Sequence, residues 1–179
     1  VYAKFAKRHA ALSRPDADQL HEGMASALTI EGSSTSTVHF SDPVRPEAHH
    51  AINALKRLGV ESSIISGDRA LAVAPVAREL GLIAQTSMLP QDKLDAIARQ
   101  KAAGHKVLMV GDGLNDGPAL AAGHASIAPA SASDAGQNAA DVVFMGDALT
   151  PVVTAIRAAR QTQAIVRQNF VLAIGYNVL

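Results

Sequence analysis

Cysteine is absent from the 179 residues. Its absence excludes disulfide bridges and thiolate metal sites from this chain and fits a reducing compartment. Tryptophan is also absent, and aromatic residues make up only 3%, too few for the stacking platforms that bind single-stranded nucleic acids. Neither sign of charge is in excess, since 16 Lys and Arg balance 16 Asp and Glu. No global field draws in a polyanion, so no nucleic-acid partner is expected. Residues 1–12 are dotted with Lys, Arg and His and lack the apolar centre of a secretory signal. The chain does not begin with Met, which suggests a fragment. The length suffices for one sizeable domain with its own core.

What is present concentrates in residues 107–123, VLMVGDGLNDGPALAAG. Residues 107–110 form a short, wholly apolar run, the pattern of a strand buried on both faces. Gly111-Asp112-Gly113 then forces a turn. Asn115 or Asp116 can cap the Ala/Leu helix that follows, and Pro118 falls in its first turn, where a missing N–H costs least. Asp112 and Asp116 therefore stand at the carboxyl end of a buried strand, the edge at which open α/β sheets bind ligands. Two like charges this close repel. A divalent cation removes the conflict, and hard oxygen ligands select magnesium, which takes one or two carboxylates together with a phosphate. The plain alternative is an Asp-rich turn with an Asx cap. Against it stand three glycines, a proline, two aspartates and an asparagine within residues 111–118.

Elsewhere the chain repeats the strand, turn, helix theme. Residues 2–12 read as an amphipathic helix, 13–16 as a turn, and residues 26–30 and 35–40 as a hairpin around Glu31-Gly32-Ser33-Ser34. His9, His21 and His39 have no ligand spacing, and His49 and His50, being adjacent, point in different directions. The prolines of Ser41-Asp42-Pro43-Val44-Arg45-Pro46 make a rigid linker. Ala48, Ala51, Ile52, Leu55 and Leu58 then recur at helical spacing up to Gly59. Residues 60–65 form a strand that runs into Ser66-Gly67-Asp68-Arg69, where a hydroxyl and backbone N–H groups can hold phosphate oxygens. Simple capping by Ser66 or Asp68 is the bland reading. Residues 70–80 are helical, with Pro75 near the first turns or at a kink. Lys93 opens a helix running from Pro90 to near Gly104. As the third polar residue set at one sheet edge by successive β–α units, it reads as a phosphate-facing ammonium rather than a surface lysine. Strands at 125–128 and 141–145, the latter closed by Gly146-Asp147, complete the alternation of a parallel sheet covered on both faces. Residues 149–169 form a helix carrying Arg157, Arg160 and Arg167. The closing FVLAIGYNVL is too short to span a bilayer, which takes about twenty residues, but basic residues before an apolar run read as the cytoplasmic entry to a membrane helix.

Together these motifs resemble the phosphorylation domain of heavy-metal P-type ATPases, a branch of the haloacid dehalogenase superfamily. DPVRPEA, the SGD turn, PQDK and GDGLNDGPAL carry the resemblance over residues 41–179, in the family's order. It implies an α/β, Rossmann-like parallel sheet with helices on both faces, incomplete at its N-terminal side, and the start of a C-terminal transmembrane helix. Residues 1–40 would be the remnant of a nucleotide-binding domain, 41–148 the phosphorylation domain and 149–179 the helix entering the membrane. In such pumps the aspartate of a DKTGT motif attacks the γ-phosphate of ATP. No DKTGT occurs here, so the nucleophile would lie upstream, on a strand central to the sheet, and this chain alone would be inactive.

The resemblance implies a supporting set of residues. Asp112 would ligate Mg2+, with Asp116 helping to hold the ion and the phosphate site. Asn115 would hydrogen-bond within that site, in the turn made by Gly111 and Gly113. Lys93 would neutralise the phosphoryl group, Ser66 and Gly67 would donate to its oxygens, and Asp68 would sit near Mg2+ and the ATP. Ser66 and Arg69 stand where the family usually has Thr and Asn. Tyr176 and Asn177 look like the pair that copper pumps carry in the next membrane helix, and SIAPASASDAGQNAADVVF resembles the branch that supplies copper for oxidase assembly. The parent would lie in the bacterial inner membrane, with residues 1–168 on the cytoplasmic side and the lipid bilayer met at the C-terminus. Two rivals remain: a soluble phosphatase of the same superfamily, and a non-catalytic domain keeping the fold. The first needs an Asp-x-Asp loop after an apolar strand, and Asp16-Ala17-Asp18 follows none.

Overall fold

Strand pairing organises the N-terminal segment. The computed structural model describes residues 2–5, 8–13, 24–30, 35–40, 43–113, 116–146 and 148–178. Within it β1 (Tyr2–Phe5), β2 (Arg8–Ser13), β3 (Met24–Ile30) and β4 (Ser36–Phe40) form an antiparallel sheet in that order. The expected hairpin is the β3–β4 pair, with Leu28 opposite Ser36 and Met24 opposite Phe40. The helix expected over residues 2–12 is not formed. Local Ala and Lys content favours a helix only weakly, and pairing of Ala10 and Leu12 with Ile30 and Leu28 on β3 overrides it. Residues 14–18, which include the Asp16-Ala17-Asp18 triplet, lie outside the described residues, as do 31–34 and Asp147.

From residue 46 onward helices and strands alternate as expected. α1 (Pro46–Arg57) follows Arg45, whose φ of −61° and ψ of 133° are the extended backbone that a residue before proline prefers. Then come β5 (Ser63–Ile65), α2 (Ala70–Leu80), β6 (Ile83–Gln85) and α3 (Pro90–Ala102). β7 (Leu108–Val110), α4 (Gly117–Ala122), β8 (Ala125–Pro129), α5 (Asp134–Ala139), β9 (Val142–Phe144) and α6 (Thr150–Val178) complete the chain. Pro75 lies within α2. All ladders in this half are parallel, but they make two sheets rather than the single one expected. β5 pairs with β6, β7 with β8 and β8 with β9, and among the described residues no ladder joins β5 to β7. Ile65 of β5 nevertheless packs on the core formed by Ile97, Met109, Ala119 and Leu120. Ladder bonds require strands about 4.8 Å apart, whereas apolar side chains bridge a wider separation, so β5 and β7 share a core without sharing hydrogen bonds.

α6 is anchored at one end. Val153 packs with Ala51, Ala54 and Leu55 of α1, and Val152 packs with Ile127 and Phe144 of β8 and β9. Arg160 adds a bond to the far end of α1, its Nη1 donating to the carbonyl of Leu58 at 2.5 Å. Every residue from 157 to 177 is exposed. Among the described residues no helix is long and apolar enough to cross a membrane.

Candidate functional site

The turn after β7 is held by main-chain contacts on both sides. The Gly111 amide continues the ladder, donating to the carbonyl of Ile127 at 3.2 Å, and the Asp112 carbonyl accepts the Ser133 amide at 3.2 Å. Asp112 itself is exposed. Gly113 follows at φ +73°, a left-handed conformation that a side chain would strain.

Asp116, one of the two residues that could cap α4, occupies its N-cap position, but its side chain makes no cap. Its Oδ1 accepts a hydrogen bond from Nζ of Lys93 on α3. The carboxylate lies over the start of the turn, since a β-carbon on Gly111 would come within 3.5 Å of Asp116 Oδ2. Lys93 is only 7% exposed, which rules out the surface-lysine reading. An ammonium this far from water needs a counter-charge, and Asp116 supplies it. α3 reaches the site through a firm start: Pro90 opens the helix, and the Asp92 carboxylate accepts the Leu89 amide at 2.8 Å.

The second turn, after β5, is built differently. Ser66 Oγ accepts the Asp68 amide at 3.1 Å and donates to Asp68 Oδ2 at 3.1 Å. Neither residue caps α2, whose N-cap is Arg69. Main-chain bonds tie this turn to the segment leading into α3. The Met88 amide donates to the Ser66 carbonyl at 3.0 Å and the Ser87 amide to the Asp68 carbonyl at 2.7 Å. Ser87 holds a positive φ of 55°, and a β-carbon on Gly67 would lie 3.3 Å from the Met88 carbonyl oxygen. The Ser66-Gly67-Asp68 turn is thus linked through residues 87–89 to the helix bearing Lys93. Sequence reading missed Ser87 and Met88 because they act through their main chain.

The structure brings Lys93 and Asp116 into direct contact and sets Asp112 in the adjoining turn. Asn115 lies outside the described residues. Tyr176 is 85% exposed on α6, and the Asn177 side-chain amide donates to the Ala173 carbonyl of its own helix at 2.8 Å.

The donor chemistry fits magnesium. Among the described residues no group of three or more His, Cys, Asp or Glu side chains could cage a metal. Asp112 and Asp116 offer carboxylate oxygens alone, the small hard set with which Mg2+ is held when phosphate and water complete its shell. A loop so arranged can hold a cation beside a buried ammonium, two positive charges that together neutralise a phosphoryl group.

Residues 6–124 match the haloacid dehalogenase-like hydrolase model. Among curated proteins, the nitrogen fixation protein FixI of Rhizobium leguminosarum bv. viciae is 48% identical over 153 residues, covering 85% of this chain and 20% of that protein. The probable copper-transporting ATPase HMA5 of Arabidopsis thaliana is 36% identical, covering 96% of this chain and 18% of its own length. The chain spans about a fifth of the length of these relatives. Among solved structures, a zinc-transporting PIB-type ATPase superposes with a TM-score of 0.75 at 30% identity, over 94% of this chain and 30% of that one. The catalytic domain of the CPx-ATPase CopB-B gives 0.60 at 28% identity, over 79% and 55%.

Proposed function

Because this chain belongs to the haloacid dehalogenase-like hydrolases, we propose that it is the phosphoryl-handling portion of a heavy-metal P-type ATPase, with copper as the transported ion. The observation that carries this reading is the buried Lys93, held by Asp116 at the carboxyl end of β7 with Asp112 in the adjoining turn. Phosphoryl transfer asks little of a protein beyond positioning and charge neutralisation, and these residues supply both. Asp112 and Asp116 would hold Mg2+, which supplies charge stabilisation and orientation of the phosphoryl oxygens. Lys93 balances the phosphoryl charge. Ser66 and Gly67 donate to its oxygens, and Asp68 and Asn115 complete the surroundings of the ion and the ATP, in the frame of Gly111 and Gly113.

The attacking aspartate belongs, on this reading, to a strand of the parent chain that fits between β5 and β7. Two sheets that share a core without pairing are consistent with that place. Residues 1–40 would be the end of the nucleotide-binding domain, 41–148 the phosphorylation domain and 149–179 the helix entering the bilayer of the bacterial inner membrane, with residues 1–168 cytoplasmic. The exposed Phe170, Val171, Leu172 and Ile174 favour a lipid environment for that end. Tyr176 and Asn177 would face the transported copper. The copper assignment leans on the naming of HMA5 as a probable copper transporter, against the zinc transporter among the solved structures.

The decisive experiment is acid-stable phosphoenzyme formation from radiolabelled ATP. The intact parent should label, Asp112→Asn in the parent should not, and the 179-residue chain alone should not. Near-normal labelling of the Asp112→Asn parent would remove Asp112 from the magnesium role. Labelling of the isolated chain would place the nucleophile within it. Stimulation of ATP hydrolysis by Cu(I) rather than Zn(II) tests the ion.

A further inference from the structure

Gly113 and Gly136 touch through their main chains, and the contact leaves no room for a side chain on either. A β-carbon on Gly113 would lie 2.0 Å from Gly136 Cα, and one on Gly136 would lie 2.3 Å from the Asp112 carbonyl oxygen and 2.7 Å from Gly113 Cα. All the obstructing atoms are backbone, so no rotamer change relieves the clash. Gly136 is buried on α5, a helix of six residues in which glycine costs stability relative to alanine. Close main-chain approach explains its presence there.

The surrounding bonds make α5 a fixed seat for the Asp112 turn. Ser133 donates its amide to the Asp112 carbonyl at 3.2 Å and its Oγ accepts the Gly136 amide at 3.1 Å. The Gln137 side chain reaches back to the carbonyls of Ala130 at 3.1 Å and Ala132 at 3.0 Å. The loop from β8 is thereby fastened to the same helix. Two residues outside the carboxylate set, Ser133 and Gly136, define where the Asp112 main chain lies and hence where its carboxylate can reach.

We propose that Gly136 is a positioning residue for the Asp112 carboxylate, acting through the Gly113 contact to set the geometry of cation binding. The proposal rests on the magnesium reading of Asp112. A β-carbon at residue 136 pushes the turn off its seat without altering any carboxylate. The expected consequence is a cation site that persists with weakened affinity.

The test is Mn2+ binding, followed by electron paramagnetic resonance of the free ion, in the intact parent and in four single variants of it. Asp112→Asn reports whether the site is the one supposed. Gly136→Ala should weaken Mn2+ binding about tenfold, the usual scale for residues that orient a ligand. Ser133→Ala, which loosens the seat without adding bulk, should weaken it by up to about fivefold and serves if Gly136→Ala does not fold. Gly81→Ala is the control for stability alone: its φ of +65° makes a side chain costly, yet nothing lies within 4 Å of it. Its Mn2+ affinity should equal wild type. The Mg2+ concentration giving half-maximal phosphoenzyme should rise in Gly136→Ala while that of ATP stays constant. If Asp112→Asn binds Mn2+ as wild type does, the magnesium reading fails and the proposal with it. If Asp112→Asn loses binding but Gly136→Ala and Ser133→Ala keep it, or Gly81→Ala weakens it equally, the positioning role alone is refuted.

Discussion

Replacing Asp116 by Asn should cost more stability than replacing Lys93 by Met, although both break the same ion pair. The side chains of Lys93 and Asp116 are 9% and 20% exposed. Two unit charges 4 Å apart attract by about 4 kcal/mol at an effective dielectric of about 20. Taking an ammonium out of water costs several kcal/mol and offsets most of that gain. The net worth of the pair is therefore small, but the two halves are unequal when separated. In Asp116→Asn the shape is kept and the buried ammonium loses its counter-charge, for an expected loss of about 2–4 kcal/mol. In Lys93→Met the apolar stem is kept and the remaining carboxylate is the more exposed partner, free to gain hydration, for an expected loss of about 0–2 kcal/mol. The double variant should be more stable than Asp116→Asn alone, because no orphaned charge remains. Urea unfolding of the chain, followed by circular dichroism, measures all three. With a slope of about 2 kcal/mol per molar, the Asp116→Asn midpoint should fall by about 1–2 M. A Lys93→Met loss equal to or larger than that of Asp116→Asn, or single effects that simply add in the double variant, would refute the reasoning.

Two further outcomes are expected. Ser126 is 2% exposed and forms a clasp between β8 and the start of β9. Its amide and Oγ donate to Asp141 Oδ2 at 2.8 and 3.0 Å, and its Oγ accepts the Asp141 amide at 3.1 Å. Ser126→Ala removes the Oγ bonds while the residue 126 amide stays on Asp141 Oδ2, and should cost about 1–3 kcal/mol; a midpoint unchanged in urea would dismiss the clasp. His124 Nδ1 accepts the Val107 amide at 3.1 Å. Desolvation first, then the charges of Lys101 and Lys106, lowers its pKa below 6.5. The unfolded chain therefore binds this proton more readily than the folded one. The stabilising contribution is complete above the unfolded value and is lost as pH falls through it toward the lowered folded value. Melting temperatures at about pH 7.5 and about pH 5.5 should converge in His124→Asn relative to wild type, and an identical pH dependence in the two proteins would exclude His124 as the cause.

Particular residues show how far a linear reading reaches. The β7 turn and α4 were legible because Gly111, Gly113 and Pro118 each answer a local backbone demand and the apolar run before them has a strand's length. The positions of α1, α2 and α3 followed from helical stretches bounded by glycines and from the prolines that open α1 and α3. Residues 2–12 misled, since their local preference is weak and the pairing partner that decides their state lies on β3. Lys93 could be named as a candidate from its place at a helix start, but its burial and its bond to Asp116 join residues 23 positions apart, a distance over which spacing carries no information. Gly136 was passed over for the same reason.

From residue 46 onward the alternation of helices and strands, together with the grouping of carboxylates after β7 and the identity of the phosphate-facing candidates, belongs to the sequence, because these depend on neighbours along the chain. Tertiary structure alone decided that β5 and β7 share a core without a common ladder, that an aspartate placed to cap α4 instead neutralises a buried lysine, and that α5 presses main chain to main chain against the Asp112 turn. These outcomes arise from close packing and from the cost of burying an unpaired charge, forces that act between residues brought together only when the chain has folded.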